Sequence, residues 1–200
     1  MKFFVATALL ASTAIAAPSC PAPTSSPSPK LPAELGTPRW GTTLASATPL
    51  HYQKLSADHR SLLVTMDGFE QRAKCDDKSN NHNHATLVVY NGELHLYSLG
   101  VRQQIYIEND DSGHGLRRVG FDTGYIPTGV QLDGWSLDED TLLHNSAGIL
   151  VACADDPKTA TAWTVYVQSN SGGPIAAQGT CYGFTPRMTQ YANPVSCRYE

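Results

Sequence analysis

No apolar run in this 200-residue chain approaches the roughly 20 residues that a membrane helix needs, so no bilayer span is expected. A basic stripe is missing too. Arg117-Arg118 is the only adjacent basic pair, and 14 Lys and Arg against 18 Asp and Glu give a formal net charge of −4. Phosphate backbones are held by arrays of Lys and Arg, so nucleic acid is not expected as a partner. Apolar residues never recur at helical spacing over a useful length, and no Gly-x-Ser-x-Gly nucleophile elbow occurs. Asn-x-Ser/Thr is absent as well, which argues against N-glycosylation.

What is present begins with an export signal. Lys2, the apolar run Phe3 to Leu10 and the small residues Ala14 to Ala17 form a secretory signal peptide over 1–17. Removing it takes the charge from −4 to −5, because Lys2 is its only charged residue. Residues 18–37 follow as a flexible leader, in which "PAPTSSPSP" (Pro21 to Pro29) has the composition of an O-glycosylated segment and too few apolar residues to pack. The mature chain is expected outside the cell, where disulfides persist. Its five cysteines imply two bridges, with Cys20 left over in the leader. Spacing alone does not fix the pairing. Cys153 ends one β-run and Cys181 follows the next run and a Gly-rich loop, so these two can meet across neighbouring strands; the favoured pairs are Cys153 with Cys181 and Cys75 with Cys197.

Residues 38–200 read as one all-β domain. Short β-type runs ("PLHYQKL", "SLLVTM", "ATLVVY", "ELHLYS", "QQIYIEN", "RRVGFD", "GILVACA", "AWTVYVQ") are separated by Gly, Asn, Asp and Pro clusters. In "ATLVVYNGELHLYS", Asn91-Gly92 is the favoured pair for a two-residue type I′ turn. That turn sets Leu87 against Leu96 and Val89 against Leu94 on one face, and places Tyr90, Glu93 and His95 on the other, mostly polar face. Strand-turn-strand followed by a third strand occurs at Ala85 to Asn109 and again at Gly134 to Asp155, with a looser copy from Ala162. Three such units favour a single compact antiparallel domain of β-trefoil-like barrel type; their unequal spacing leaves a β-sandwich as the alternative.

Four groups of residues invite chemistry. Asp138, Glu139 and Asp140 lie between two apolar runs, but counting from Asp138 puts Leu143 where a calcium loop needs Gly and Ile149 where it needs Glu. A hairpin tip in water is the expected state. His82 and His84 alternate as strand ligands would, yet a metal site needs a third or fourth ligand from His51 or His95, and no metal or other cofactor is expected. His51, His95, Glu93, Glu108 and Arg102 supply the residue types of an acid–base ribonuclease without any spacing that singles them out. Trp135 and Trp163 each start a β-run and are expected in the core, whereas Tyr90 and Tyr97 are possible glycan contacts.

The blocks "LHYQKLSA", "NGELHLYS", "QQIYIENDDSGHGLRRVGFDTG", "GWSLDEDTLLHNSAGILVACADD", "AWTVYVQSN", "GTCYGF" and "NPVSCRYE" together resemble the fungal PhiA cell wall protein family, associated with phialide and conidium development. The resemblance runs from about Trp40 to Glu200 and, with the signal peptide and Cys20 soon after it, includes the order of all five cysteines; the longer Pro/Ser leader departs from it. The C-terminal half is also similar to the C-terminal domain of PIR-type cell wall mannoproteins. Neither family brings a catalytic motif, so no catalytic residue is carried over. The resemblance implies a secreted, non-enzymatic wall protein linked to asexual sporulation and stress protection, with wall polysaccharide or mannoprotein as partner. A secreted lectin-like domain and a small hydrolase or ribonuclease are the alternatives.

Overall fold

Asn91 and Gly92 both adopt positive φ, 49° and 78°, and the tight turn they make fixes the expected register: Leu87↔Leu96, Val88↔His95, Val89↔Leu94 and Tyr90↔Glu93. The computed structural model describes residues 36–77, 83–98, 100–109, 115–169 and 179–200. The expected signal peptide, the leader as far as residue 35, Cys20 and His82 lie outside the described residues.

Fifteen strands and no helix are found among the described residues: β1 (Arg39–Leu44), β2 (Lys54–Asp58), β3 (Ser61–Thr65), β4 (Ala73–Cys75), β5 (Leu87–Tyr90), β6 (Glu93–Leu96), β7 (Gln103–Ile107), β8 (Leu116–Thr123), β9 (Trp135–Leu137), β10 (Leu143–Asn145), β11 (Gly148–Ala154), β12 (Ala162–Ser169), β13 (Thr180–Gly183), β14 (Thr185–Gln190) and β15 (Cys197–Tyr199). Thirteen of them form one sheet in the order β14-β1-β5-β6-β7-β8-β3-β12-β11-β10-β9, with β2 bridging β1 and β3 and with β13 beside β11. The ladder from β1 through β5, β6, β7, β8, β3 and β2 thus returns to β1. Single residue pairs make three of its joins: Arg39↔Leu87, Thr42↔Lys54 and Ser61↔Gly120. At the last of these the wall branches, because β12 pairs with β3 through Ala162 to Thr164 and with β8 through Tyr166 to Gln168.

The fold is therefore an antiparallel, partly closed barrel whose wall runs on into an open layer. The units starting at Ala85 and Gly134 are both three-stranded meanders, β5-β6-β7 and β9-β10-β11. The looser unit from Ala162 is not a third meander: β13 pairs with β11 instead of β12, setting Cys181 opposite Cys153. "PLHYQKL" also differs from expectation. Its first residues turn, since Pro49 has no N–H to give and Tyr52 sits at φ 64°, and only Lys54 and Leu55 enter β2. Strand β14, "TPRMTQ", carries Pro186 but ends the sheet path, where a missing ladder donor is tolerated.

The alternating inner positions fill one core. Leu55, Leu87, Leu94, Ile105, Val119 and Val165 are fully buried, and Trp135 and Trp163 are 2 % and 0 % exposed. Gly41 lets β1 lie close on this core, since a Cβ there would come within 2.6 Å of Leu55 Cδ1. The small β4–β15 sheet closes one end. Cys75 and Cys197 are direct cross-strand partners joined by a disulfide, and a second disulfide joins Cys153 to Cys181 across β11 and β13.

Candidate functional site

Strand alternation turns Tyr90, Glu93, His95, Tyr97, Arg102 and Gln104 toward the side of the β5-β6-β7 meander opposite Leu87 and Leu94. Glu93 is the hub of this face. Its Oε2 lies 3.0 Å from His95 Nε2 and accepts a 2.8 Å hydrogen bond from Arg102 Nη2. Three of the five acid–base candidates are thus brought together, although Arg102 stands on the approach to the next strand.

His95 is not on an open polar face as the hairpin pattern suggested. It is 5 % exposed, and its cross-strand neighbour Val88 is also buried, with the chain at Gly36 crossing close above Val88. Burial, and then the Arg102 charge, push the imidazole below its ordinary pKa; Glu93 opposes them without prevailing. The neutral ring must carry its proton on Nε2, because a carboxylate offers only acceptors. Beside it on β7, Gln104 is 4 % exposed, and its Nε2 has no hydrogen-bond partner within the protein.

The other two acid–base candidates are placed elsewhere. His51 lies tilted against Tyr52 at 3.8 Å and accepts the Ala45 N–H through Nδ1 at 3.1 Å. Glu108 is held by Arg118, whose Nε donates at 3.0 Å. That pairing is the leading cause raising the pKa of Arg118. Acid–base catalysis needs groups free to reach a substrate proton, whereas Glu93 is engaged on two sides and His95 is enclosed. The arrangement ties β6 to the approach to β7.

Tyr90 and Tyr97 stand at the two ends of this face. Both are half-buried, and the strand rise of about 3.4 Å per residue sets them roughly 14 Å apart along β6. Burial raises the Tyr97 phenol pKa, helped by Asp76.

The acidic tip is a hairpin loop between β9 and β10. Asp138 Oδ1 accepts from Leu142 N at 2.8 Å, and Oδ2 faces His144 Nε2 at 2.9 Å. The His144 hydrogen bond, then the Leu142 one, hold this exposed carboxyl below its usual pKa. Glu139 and Asp140 are exposed. His84 hydrogen-bonds through Nε2 to the Tyr191 hydroxyl, its ring stacked on Tyr191 at 5.8 Å and tilted against Trp40 at 5.6 Å. Burial, with Tyr199 nearby, pushes the Tyr191 phenol up to about 12. Sequence reasoning missed this ring cluster, which joins residues from β1, the approach to β5 and the end of β14. Among the described residues no group of three or more His, Cys, Asp and Glu is placed to hold a metal, and no helix is long and apolar enough to cross a membrane.

Comparison with known proteins adds a family. The model of the PhiA-like secreted proteins matches residues 41–200. The chain is 28% identical over 198 residues to a cell wall protein phiA of Emericella nidulans, covering 97% of each chain. It is 32% identical over 111 residues to a cell wall protein phiA of Arthroderma benhamiae, covering 53% of this chain and 57% of that one. No solved structure matches the chain.

Proposed function

The chain belongs to the PhiA-like secreted protein family, and on that premise we propose that it is a non-catalytic component of the cell wall, working in phialide and conidium development and in stress protection. The observation that carries this reading is the extent of the family match, which takes in the described β-domain from β1 to β15 almost entirely. Likeness over 97% of a protein named for the cell wall supports the same location. The geometry is in keeping with a durable scaffold, in which two disulfides clamp neighbouring strands and the Glu93, His95 and Arg102 side chains hold one another.

The partner is wall polysaccharide or mannoprotein, with Tyr90 and Tyr97 as contacts along the outer face of the β5–β6 hairpin. Amphipathic tyrosine rings suit sugars, which present an apolar ring face and a hydroxyl edge. Deleting the gene in its source fungus and restoring it in two forms tests the proposal. The native chain and a Glu93→Gln/His95→Gln variant should restore conidium formation equally. Undiminished conidiation in the deletion strain would contradict the developmental role. Failure of the folded, wall-located double variant alone would contradict the non-catalytic one.

A further inference from the structure

Strand β12 carries a second surface, separated from the Glu93 face of the β5-β6-β7 meander by β8. There a groove of about 460 Å³ runs between the outer side of β12 and the turn after β11. Ala162, Thr164 and Tyr166 line one wall, two residues apart and so on one side of the strand. At about 3.4 Å per residue this wall is roughly 14 Å long. The small side chains of Ala160 and Ala162 leave the trough unfilled.

The opposite wall is a pinned turn. Asp156 accepts from Lys158 N at 3.0 Å and from the Thr159 hydroxyl at 2.9 Å, while its carbonyl takes the Ala160 N–H at 3.0 Å. The Asp156 carboxylate is therefore committed to the turn. Asp155 is different: exposed at the rim, it has no hydrogen-bond or ion-pair partner among the described residues. It lies close enough to Tyr166 to contribute to that phenol's raised pKa, whose main cause is burial. Across β8 the Arg118–Glu108 pair flanks the same tyrosine, and the Cys153–Cys181 bridge fixes the near end of the groove.

An aromatic wall, an unengaged carboxylate and the Thr164 hydroxyl along one open trough match a particular ligand chemistry. A tyrosine face takes the apolar side of a sugar ring, and a carboxylate accepts bonds from neighbouring hydroxyls. The described lining residues carry two carboxylates and no cation, and Arg118 beside the groove is committed to Glu108, which disfavours a negatively charged sugar. We propose that the groove binds a short neutral stretch of wall glycan, with Tyr166 stacked on a sugar ring and Asp155 accepting its hydroxyls. This deepens the wall-association reading by adding a site separate from Tyr90 and Tyr97.

Titrating the 15N-labelled mature protein with soluble oligosaccharides of β-1,3-glucan, α-mannan and chitin tests it. One of the three should shift the amide signals between Asp155 and Tyr166, equally at low and high salt. Tyr166→Ala and Asp155→Ala should each weaken that binding at least tenfold with native spectra elsewhere. Tyr166→Phe and the Tyr90→Ala/Tyr97→Ala pair should leave it within about threefold. No shift with any of the three sugars, or unchanged binding by folded Tyr166→Ala, overturns the proposal. So does a response only to the polycation spermine that high salt abolishes. A chain that stays in the wall yet binds none of the sugars sinks the groove alone; one that binds them but washes freely from the wall sinks the wall reading alone.

Discussion

The side chain of Gln103 pairs with the backbone of Tyr199 as a strand would: its Nε2 donates to Tyr199 O at 2.8 Å, and its Oε1 accepts the Tyr199 N–H at 2.9 Å. Nε2 also donates to Thr123 Oγ1 at 2.8 Å. One buried amide thus fastens β15 to the end of the barrel wall. Gln103→Leu strands the Tyr199 peptide groups away from water, and each buried unpaired group costs about 1–3 kcal/mol. The variant is expected to lose roughly 2–4 kcal/mol by urea denaturation, with an unchanged slope.

A second close packing joins neighbouring strands. Tyr106 lies opposite Gly120, and a Cβ on Gly120 would meet its ring carbons at 2.8 Å. Gly120→Ala forces the ring aside and should destabilise by about 1–3 kcal/mol. Tyr106→Leu in the same chain should recover part of that loss, a coupling that a double-mutant cycle measures.

Such pairings mark the boundary of what the sequence made legible. The Asn91-Gly92 hairpin was readable because turn chemistry and alternation lie within a dozen residues. The Cys153–Cys181 pairing spans 28 residues and one intervening β-run, whereas Cys75 and Cys197 are 122 residues apart and only the completed end sheet brings them together. The Glu93, His95 and Arg102 cluster depends on how the chain re-enters after β6, which no local pattern specifies. Burial of His95 was hidden for a related reason: alternation assigns a residue to a face but does not say what crosses that face. Tyr166 was visible as an aromatic, but its groove needs the Asp156 turn folded back on β12.

The acidic tip and the tryptophan beside it should respond in opposite ways. Glu139 and Asp140 are exposed, and changing both to Asn should alter stability by less than about 0.5 kcal/mol. Asp138→Asn should cost a little, since it weakens the Leu142 and His144 contacts. Trp135→Ala removes an indole that is 2 % exposed and should cost about 3–5 kcal/mol. Melting curves with and without calcium check all three, with no calcium-dependent shift expected.

His95 sets a pH dependence. Its folded-state pKa lies below the ordinary imidazole value of 6.5, so between those two values the unfolded chain binds more protons and stability rises with pH. The contribution is complete above about pH 6.5 and is lost as pH falls through the folded pKa. His95→Gln should flatten the melting temperature over that window. The exposed Asp138 and Asp156, whose pKa values are also lowered, act only in the more acidic carboxylate range.

Stepwise extraction of purified conidial walls measures both where the protein resides and how it is held there. Antibody against the β-domain should find the protein in the wall after buffer washes, with release by hot detergent showing non-covalent residence and release only by mild alkali showing an alkali-labile covalent link. Recovery of nearly all the protein from the culture medium or the buffer wash, with none in the detergent or alkali fractions, would contradict the account.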